Sequence, residues 1–364
     1  MLKEKTCFVG VGQCGNNLAS EMEKKYEYYS LMINTSKEDM QAVNPKHSFH
    51  LEGGIGLAKE PEKVEELLEK NDNIEKLSET LKKHTETFEV VFVEFSCGGG
   101  TGSALGYMIC NLLVRKFNKV VCPVVVIPNE TDESVKVAKN TLDCLNTLSG
   151  LQGVGATFVL DNKKRENKFS INHEFADVLN DYLTRENVSN KGNMDESEFM
   201  KLLTVNGCAI LTKVSKDKSN SSNIIATLKN NIYAEQTDFD AQYLGLSIAT
   251  GNNKIDKSDI IKEVGFVMDD FCGFGGNNTL LFLAGLSYPE KRIGDFEQKI
   301  RDNAENLKKL KEKTQSPKMT KKDTFDDLFD FSKEEPKEEP KEEQEEEVKE
   351  EKQYKTTWDL MREL

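Results

Sequence analysis

A glycine-rich segment, Ser-Cys-Gly-Gly-Gly-Thr-Gly-Ser at residues 96–103, stands between a strand-like and a helix-like segment and strongly constrains the fold. Residues 90–95 are rich in β-branched and aromatic side chains, and residues 105–117 have a helix-like pattern. Because glycine has no Cβ, such a loop can turn tightly and approach an oxyanion closely. Its N–H groups and the start of the following helix supply positive potential, to which Thr101 and Ser103 add hydroxyl donors. The segment predicts a phosphate-binding loop or, alternatively, an ordinary tight turn.

A second glycine loop follows the first predicted strand. Residues 6–11 have the pattern of a strand, and Gly-Gln-Cys-Gly-Asn-Asn at residues 12–17 then opens a helix that continues to Tyr26. The spacing is not the Gly-x-Gly-x-x-Gly of a dinucleotide-binding fold, and no Gly-Lys-Ser/Thr of a P-loop is present. Together, the two loops favour a phosphate-binding site over two unrelated turns.

Charge and composition argue against several classes of protein. The net charge is −14, so direct nucleic-acid binding is not expected, because DNA phosphates are neutralised by clustered Lys and Arg. The eight cysteines are scattered, with no Cys-x-x-Cys pair and no nearby His cluster, which favours reduced thiols and a cytoplasmic location. No apolar run approaches the roughly 18 residues of a membrane span, and the N-terminus leads straight into a strand. We therefore expect neither a membrane span nor a signal peptide.

The order of strand and helix patterns predicts an α/β protein in several parts. Strands alternate with helices in residues 1–170, which indicates a parallel sheet covered by helices on both faces. Residues 171–204 contain a central helix, a loop and a second helix, and residues 205–290 read as a smaller α/β domain with strands at 208–213, 243–248, 263–267 and 279–286. A highly charged helix is predicted at residues 291–313.

The last fifty residues differ in character from the rest. Residues 314–353 form a polar linker that includes a Lys-Glu-Glu-Pro run, and they contain too little apolar surface to offset the entropy of ordering. Residues 354–364 then include the only Trp of the chain, with further apolar residues at helical spacing. An apolar peptide on a disordered tether favours partner docking over a simple chain end. The candidate docking residues are Trp358, Leu360, Met361 and Leu364.

The two glycine loops, in this order and at this separation, resemble those of the tubulin/FtsZ superfamily, and the resemblance extends over about residues 1–290. Gly-Gly-Gly-Thr-Gly-Ser is similar to the signature loop of the family, and Gly-Gln-Cys-Gly-Asn to the first nucleotide loop of tubulin. Ile33-Asn34-Thr35 is similar to the FtsZ loop that begins Asn-Thr, and residues 51–57 occupy the place of the loop that faces the γ-phosphate. The resemblance implies a Rossmann-like GTPase domain that binds GTP or GDP, with Mg²⁺ held through the nucleotide phosphates.

The resemblance also implies residues for the ribose and the base. Residues 128–132 are similar to the FtsZ loop that places an acid against the ribose, so Asp132 is the candidate, with a helix N-cap as the alternative. Leu160-Asp161-Asn162 resembles the loop whose Asn recognises the base. Ala-Asp-Val-Leu at residues 176–179 is similar to Asn-Asp-Val-Leu of FtsZ, which makes Asp177 a candidate acceptor, with Asn172 one turn earlier in place of the missing Asn. The complete candidate set is Gly12, Gln13, Cys14, Asn16, Asn34, Thr35, Gly98, Gly99, Gly100, Thr101, Gly102, Ser103, Asp132, Asn162, Asn172 and Asp177.

Two acids are the candidate catalytic residues. Residues 193–199 are similar to the Asn-Val-Asp-Phe-Ala-Asp-Val segment of FtsZ, with Asp195 in place of the first acid and Glu198 in place of the second. In the family this loop reaches the nucleotide of the next subunit and polarises the attacking water, so the active site is completed by polymerisation. The alternative is that Asp195 caps a helix and Glu198 completes a capping box, and both roles can hold together.

Within the superfamily, the chain looks most like the TubZ branch, which segregates plasmid and phage DNA. Asn-Thr-Ser-Lys at 34–37, Met-Asp-Glu-Ser-Glu-Phe at 194–199 and the charged C-terminal helix carry this resemblance. It implies a GTPase that polymerises longitudinally with itself and holds DNA through a DNA-binding adaptor on its tail. Two alternatives stay open: an FtsZ-type cell-division GTPase whose tail docks on membrane-anchor proteins, and a nucleotide-regulated scaffold without hydrolysis.

Overall fold

The computed structural model describes residues 1–314 except positions 42, 187, 188, 191 and 253. The strands are β1 (Thr6–Val11), β2 (Tyr29–Asn34), β3 (Ser48–His50), β4 (Val90–Ser96), β5 (Val120–Ile127), β6 (Ala156–Asp161), β7 (Gly207–Ser215), β8 (Ala241–Ile248), β9 (Val267–Phe274) and β10 (Asn278–Leu286). The α-helices are α1 (Gly12–Tyr26), α2 (Lys63–Glu69), α3 (Asn73–Thr85), α4 (Thr101–Arg115), α5 (Val135–Ser149), α6 (Lys168–Leu183), α7 (Glu196–Thr204), α8 (Ser221–Lys229), α9 (Lys257–Val264) and α10 (Glu290–Thr314).

The strands pair in the order β3-β2-β1-β4-β5-β6-β7-β10-β8-β9. All pairs from β3 to β7 are parallel, whereas β10 runs antiparallel to both of its neighbours. This arrangement confirms the predicted α/β class with a parallel sheet in the N-terminal part. Because the strands of that part run in one direction, the loops that follow them lie at one edge of the sheet.

Phe158 on β6 joins three parts of the core. Its ring lies 6.3 Å from the ring of Phe92 on β4, 5.5 Å from that of Phe175 on α6 and 5.8 Å from that of Phe282 on β10. All four side chains are fully buried, and each such burial contributes about 1.5–3 kcal/mol. The central helix α6 is thereby packed between the strands that precede it and those that follow it.

Contacts group residues Met1–Lys299 into one compact unit, and a second unit begins at Ile300. The finer domain boundaries inferred from the sequence remain predictions. Within the described residues, no helix is both long and apolar enough to cross a membrane. Residues 315–364, which contain nearly all of the predicted linker and all of the docking peptide, lie outside the described part of the chain.

The strand predicted at residues 263–267 is wrong. Helix α9 occupies the first two of these positions, and strand β9 begins only at Val267. Asp256 caps α9 by accepting a hydrogen bond from the N–H of Ser258, and Gly265 with φ +99° ends the helix. The apolar residues Ile260 and Val264 lie one helical turn apart and are both buried. Val264 is therefore part of the buried face of α9, and of residues 263–267 only Val267 belongs to the strand that follows.

Candidate nucleotide-binding site

The loops that follow β1, β2 and β4 enclose a cavity of about 390 Å³ at the carboxyl edge of the parallel strands. Both predicted glycine loops contribute to it, and so does the loop that begins at Asn34. The predicted residues that line the cavity are Gly12, Gln13, Cys14, Asn34, Gly99, Gly100, Thr101 and Gly102. The structure therefore brings together residues that lie far apart in the sequence but were assigned to one phosphate site.

Helices α1 and α4 both begin at this cavity, and neither has a side-chain cap in the described structure. By contrast, Ser134 caps α5 and Asn167 caps α6. The first N–H groups of a helix have no partner within the helix, and the helix dipole makes that end positive. Two uncapped helix starts beside one cavity form a strong site for an anion such as a phosphate group.

The two glycine loops touch each other. Gly12 has φ +71°, and a Cβ atom at that position would lie 3.2 Å from the backbone nitrogen of Gly102. The hydroxyl groups of Thr35 and Thr101 are 2.7 Å apart, which ties the loop after β2 to the start of α4. The side-chain oxygen of Asn34 accepts a hydrogen bond of 2.8 Å from the N–H of Thr35. Asn34 lines the cavity, whereas Thr35 is buried behind it and supports the wall through these hydrogen bonds.

A third loop, at residues 55–59, closes the cavity and includes Lys59, which the sequence analysis did not single out. Lys59 and Asp39 are the only charged residues among those that line the described cavity. The Lys59 ammonium lies 3.4 Å from the carboxylate of Glu133. Asn140 of α5 donates to the carbonyl oxygen of Lys59 at 3.0 Å and, at 3.4 Å, to that of Gly99 in the main glycine loop. The signal in the sequence was a lysine three positions after Gly56, the last glycine of this loop.

Two buried polar side chains beneath the first loop have no hydrogen-bond partner within the described residues. They are Asn16, of which 4% is exposed, and Glu94, which is fully buried. Burial raises the pKa of Glu94 well above its usual range and so favours its neutral form. Unpaired buried amides are costly. Asn16 does not line the cavity, and its assignment to the nucleotide stays a prediction.

A family model described as the tubulin/FtsZ family, GTPase domain, matches residues 5–168. This chain contains a tubulin/FtsZ GTPase domain. The tubulin-like protein TubZ of Clostridium botulinum C phage is 26% identical over 321 residues, which is 86% of this chain and 88% of that protein. The structure of the tail-truncated TubZ of Clostridium botulinum phage c-st matches with a TM-score of 0.74 at 26% identity, over 84% of this chain and 100% of that one. A GTPγS-form protofilament of TubZ from Bacillus thuringiensis serovar israelensis shares the fold, with a TM-score of 0.69 at 17% identity over 86% of this chain and 95% of that one.

Several predicted residues of the tubulin/FtsZ site do not line the cavity. Gly98 and Ser103 belong to the signature loop, but Ser103 is buried and donates its hydroxyl to the carbonyl oxygen of Gly99. Asp132 is exposed and accepts a hydrogen bond of 2.8 Å from the Asn129 amide, and Asn162 lies in the turn after β6. Asp132 and Asn162 follow the carboxyl ends of β5 and β6. These two strands come directly after β4, whose loop lines the cavity, in the order of the sheet.

Asp177 is separated from the cavity. Its carboxylate accepts a hydrogen bond of 3.0 Å from Tyr26 and forms an ion pair with Lys213. Tyr26 is the last residue of α1 and the cavity lies at the first, a distance of about 20 Å at 1.5 Å per residue. Burial raises the pKa of Asp177, but the bonds from Lys213 and Tyr26 outweigh it, and the pKa lies below its ordinary value. Asp177 and Asn172 both lie on α6 and neither lines the cavity, so their assignment to the base stays a prediction.

The two candidate catalytic acids form the predicted capping box. The Asp195 carboxylate accepts a hydrogen bond of 3.0 Å from the N–H of Glu198, and the Glu198 carboxylate accepts one of 2.8 Å from the N–H of Asp195. The hydroxyl of Ser197 donates to the same Asp195 oxygen at 2.6 Å. The Ser197 hydroxyl, followed by the Glu198 N–H, lowers the pKa of Asp195, which is therefore an exposed, ionised carboxylate at neutral pH.

The acids lie far from the cavity of their own subunit. Glu196, next to Asp195, pairs with the Lys5 ammonium at 2.8 Å and with the N-terminal amine at 3.6 Å. Lys5 immediately precedes β1, whereas the cavity is reached at Val11 and Gly12, at the end of β1. Six strand residues span about 20 Å, so Asp195 and the cavity are at opposite ends of the sheet.

The cavity has few groups for a metal ion of its own. Asp39 is its only carboxylate, and the described residues contain no group of three or more His, Cys, Asp or Glu side chains arranged to hold a metal. Mg²⁺ prefers octahedral oxygen ligands and commonly binds through one or two carboxylates together with substrate phosphates. These residues fit a Mg²⁺ ion that is held mainly by nucleotide phosphates.

Proposed function

We propose that this protein binds GTP in the described cavity, hydrolyses it, and polymerises head to tail so that each subunit completes the active site of its neighbour. The observation that carries the proposal is the separation of Asp195 from the cavity by the length of β1. An acid at one end of the subunit and a nucleotide at the other meet only when two subunits stack in the same orientation. Such a contact is heterologous, and repeated contacts of this kind build a filament.

The phosphates are placed at the uncapped starts of α1 and α4, with the Lys59 ammonium facing the terminal phosphate. On binding, Lys59 exchanges its contact with Glu133 for the more highly charged phosphate. The ribose and the base extend toward the loops after β5 and β6, where Asp132 and Asn162 stand. Asp39 is the cavity carboxylate that would help to hold a Mg²⁺ ion, which would supply charge neutralisation for phosphoryl transfer.

Asp195 of the neighbouring subunit is assigned to the attacking water. The hydrogen bonds from the Ser197 hydroxyl and the Glu198 N–H both go to Oδ1, so Oδ2 is the oxygen that we assign to the water. This oxygen orients the water and accepts its proton as the new oxygen–phosphorus bond forms and the bond to the GDP oxygen breaks. Glu198 holds Asp195 in place through the capping box and supplies a second carboxylate at the same surface. Most of the rate acceleration is expected from positioning and charge neutralisation.

The filament is proposed to segregate plasmid or phage DNA in the cytoplasm. Similarity to phage TubZ over 86% of the chain supports this role. A protofilament of a TubZ with the same fold is consistent with assembly into filaments. The net charge of −14 opposes direct contact with DNA, so a basic DNA-binding adaptor is assigned to the tail peptide at residues 354–364.

The first test is the GTPase rate as a function of protein concentration, with electron microscopy of the same samples. The rate per molecule is expected to be near zero below a critical concentration and to rise sharply where filaments appear. A rate per molecule that is constant at all dilutions would contradict a site completed between subunits.

A mixing experiment tests the same point with paired variants. Asp195→Ala retains the cavity but lacks the acid, whereas Thr101→Glu blocks the cavity with negative charge and retains the acid. Each variant alone should be inactive. An equimolar mixture should recover about a quarter of the wild-type rate, because a quarter of randomly ordered heterologous contacts pair an intact cavity with an intact acid. If the mixed filaments form but show no GTPase activity, the proposal is contradicted.

A further inference from the structure

Arg292, at the start of α10, is the largest of the fully buried side chains, with 2% of its surface exposed. Its Nε donates to Asp161 at 2.8 Å, and one terminal nitrogen pairs with Glu130 at 2.7 Å and with Asp295 at 2.6 Å. The other terminal nitrogen donates to the carbonyl oxygen of Pro128 at 3.1 Å. One guanidinium therefore holds three acids and a backbone carbonyl.

These partners lie on two loops that belong to the proposed nucleotide site. Pro128 and Glu130 are in the loop that follows β5 and contains Asp132, and Asp161 is the last residue of β6, directly before Asn162. The same two loops are tied to each other by the ion pair between Lys163 and Glu130. The phosphate loops, at residues 12–16 and 98–103, are not among the partners of Arg292.

The charged side chains around Arg292 stabilise one another because they are buried together. Asp161 is 1% exposed and the Glu130 side chain 11% exposed, so neither is well solvated without Arg292. Removal of one partner from a buried ion pair leaves an uncompensated charge, which is strongly unfavourable. The planar guanidinium holds its donors in a rigid fork, whereas an ammonium group is a point charge on a flexible stem. The position of α10 and the positions of both loops are therefore linked.

We propose that Arg292 is a positioning residue for the nucleoside end of the site, and that it couples the first turns of α10 to the binding of a guanine nucleotide. The inference rests on the proposed function, because it assigns the loops after β5 and β6 to the ribose and base. Binding of a nucleoside to these loops orders the carboxylates that hold Arg292, and through Arg292 it orders the helix. By linkage, displacement of the helix weakens nucleoside binding by the same factor.

Hydrogen–deuterium exchange of the full-length wild-type protein tests the coupling without any variant. GDP is compared with pyrophosphate, which fills the phosphate loops but lacks a nucleoside. GDP should slow amide exchange in residues 292–299 by about 2- to 30-fold, the range of typical coupling energies, and pyrophosphate should not. If GDP protects the loops after β5 and β6 and leaves residues 292–299 unchanged, the coupling is refuted. If GDP protects none of the loops, including residues 12–16, the proposed nucleotide function itself has failed.

Arg292→Lys is the matching variant, and Lys291→Met is its control, because the Lys291–Glu235 pair is exposed. Lys keeps the positive charge but loses the planar fork, so GDP affinity should fall about tenfold, the value of one charge-assisted hydrogen bond, while pyrophosphate affinity stays the same. Lys291→Met should leave both affinities within about twofold of wild type, as expected for a surface pair. An equal loss of GDP and pyrophosphate affinity in Arg292→Lys would indicate a purely structural role and overturn the proposal.

Discussion

The N–H of Glu60 donates a hydrogen bond of 2.7 Å to the carbonyl oxygen of Leu57 and closes a tight turn at the mouth of the cavity. The two central residues, Ala58 and Lys59, have φ of +49° and +63°. Turns with left-handed residues at both central positions normally contain Asn and Gly, because other residues cost about 1–2 kcal/mol each in this conformation. Gly100 lies directly beneath, where a Cβ atom would be 2.8 Å from that of Leu57. The strained turn places Lys59 among the residues that line the cavity, with its ammonium beside Glu133.

Lys59→Asn is predicted to weaken GTPγS binding by about 10- to 100-fold and GDP binding much less, because a charge-assisted hydrogen bond to the terminal phosphate is lost. Asn tolerates the left-handed backbone, so the turn itself should be preserved. The measurement is the ratio of GTPγS to GDP affinity by calorimetry. Lys59→Arg should retain the ratio, and Ala58→Gly, which relieves strain without removing the charge, should leave it unchanged. An unaltered ratio in Lys59→Asn would exclude a contact with the terminal phosphate.

Asp195→Asn and Asp195→Ala are predicted to separate catalysis from helix capping. Both remove the carboxylate, so hydrolysis in filaments should fall by about 10²-fold, the scale of one positioned acid–base group. Asn caps helices as well as Asp does, so only Asp195→Ala should lose stability, by about 1 kcal/mol. Steady-state GTPase rates and thermal unfolding report the two effects, and sedimentation should show that both variants still assemble. Normal hydrolysis by Asp195→Asn would leave the residue with a capping role alone.

Glu94→Gln is predicted to change the pH dependence of stability. The pKa of Glu94 is raised in the folded protein, so between its unfolded and folded pKa the native state binds more protons than the unfolded state. Its contribution to stability is therefore complete below about pH 4.3 and declines as the pH rises toward the folded pKa, by at most about 1.4 kcal/mol per pH unit. Thermal unfolding from pH 5 to pH 9 should decline less steeply in Glu94→Gln than in wild type. Glu75→Gln, on the exposed surface of α3, is the control, and parallel curves for all three proteins would contradict the prediction.

Deletion of residues 354–364 is predicted to leave assembly and GTP hydrolysis intact and to abolish capture of the DNA-binding adaptor. A Lys/Glu/Pro linker does not support packing against the folded unit, whereas one Trp, two Leu and one Met can fill a groove with micromolar affinity, about −8 kcal/mol. Co-sedimentation of adaptor and DNA with full-length and truncated filaments is the measurement. Undiminished capture by the truncated protein would move the docking site to the folded part of the chain.

Local sequence determined the elements of the nucleotide site. The strand patterns before Gly12 and Gly98 and the glycine spacing after them predicted the loops that line the cavity, because these features depend on residues adjacent in the chain. The capping box of Asp195 and Glu198 was likewise readable, since its two hydrogen bonds join residues three positions apart. The strand predicted at residues 263–267 was wrong because this short segment contains the apolar end of α9 and the apolar start of β9, which look like one strand in the sequence.

Tertiary structure alone decided which distant residues meet. Asp161 and Arg292 are separated by 131 positions, and nothing in the charged pattern of α10 distinguished a buried arginine from the exposed Lys291 beside it. The resemblance to FtsZ assigned Asp177 to the base, and only the tertiary structure shows that its carboxylate contacts Tyr26 and Lys213. The direction of β1 places Asp195 at the opposite end of the sheet from the cavity. Such distances follow from the order and direction of strands in the sheet, which depend on the packing of the whole chain and are not encoded in the pattern of any one segment.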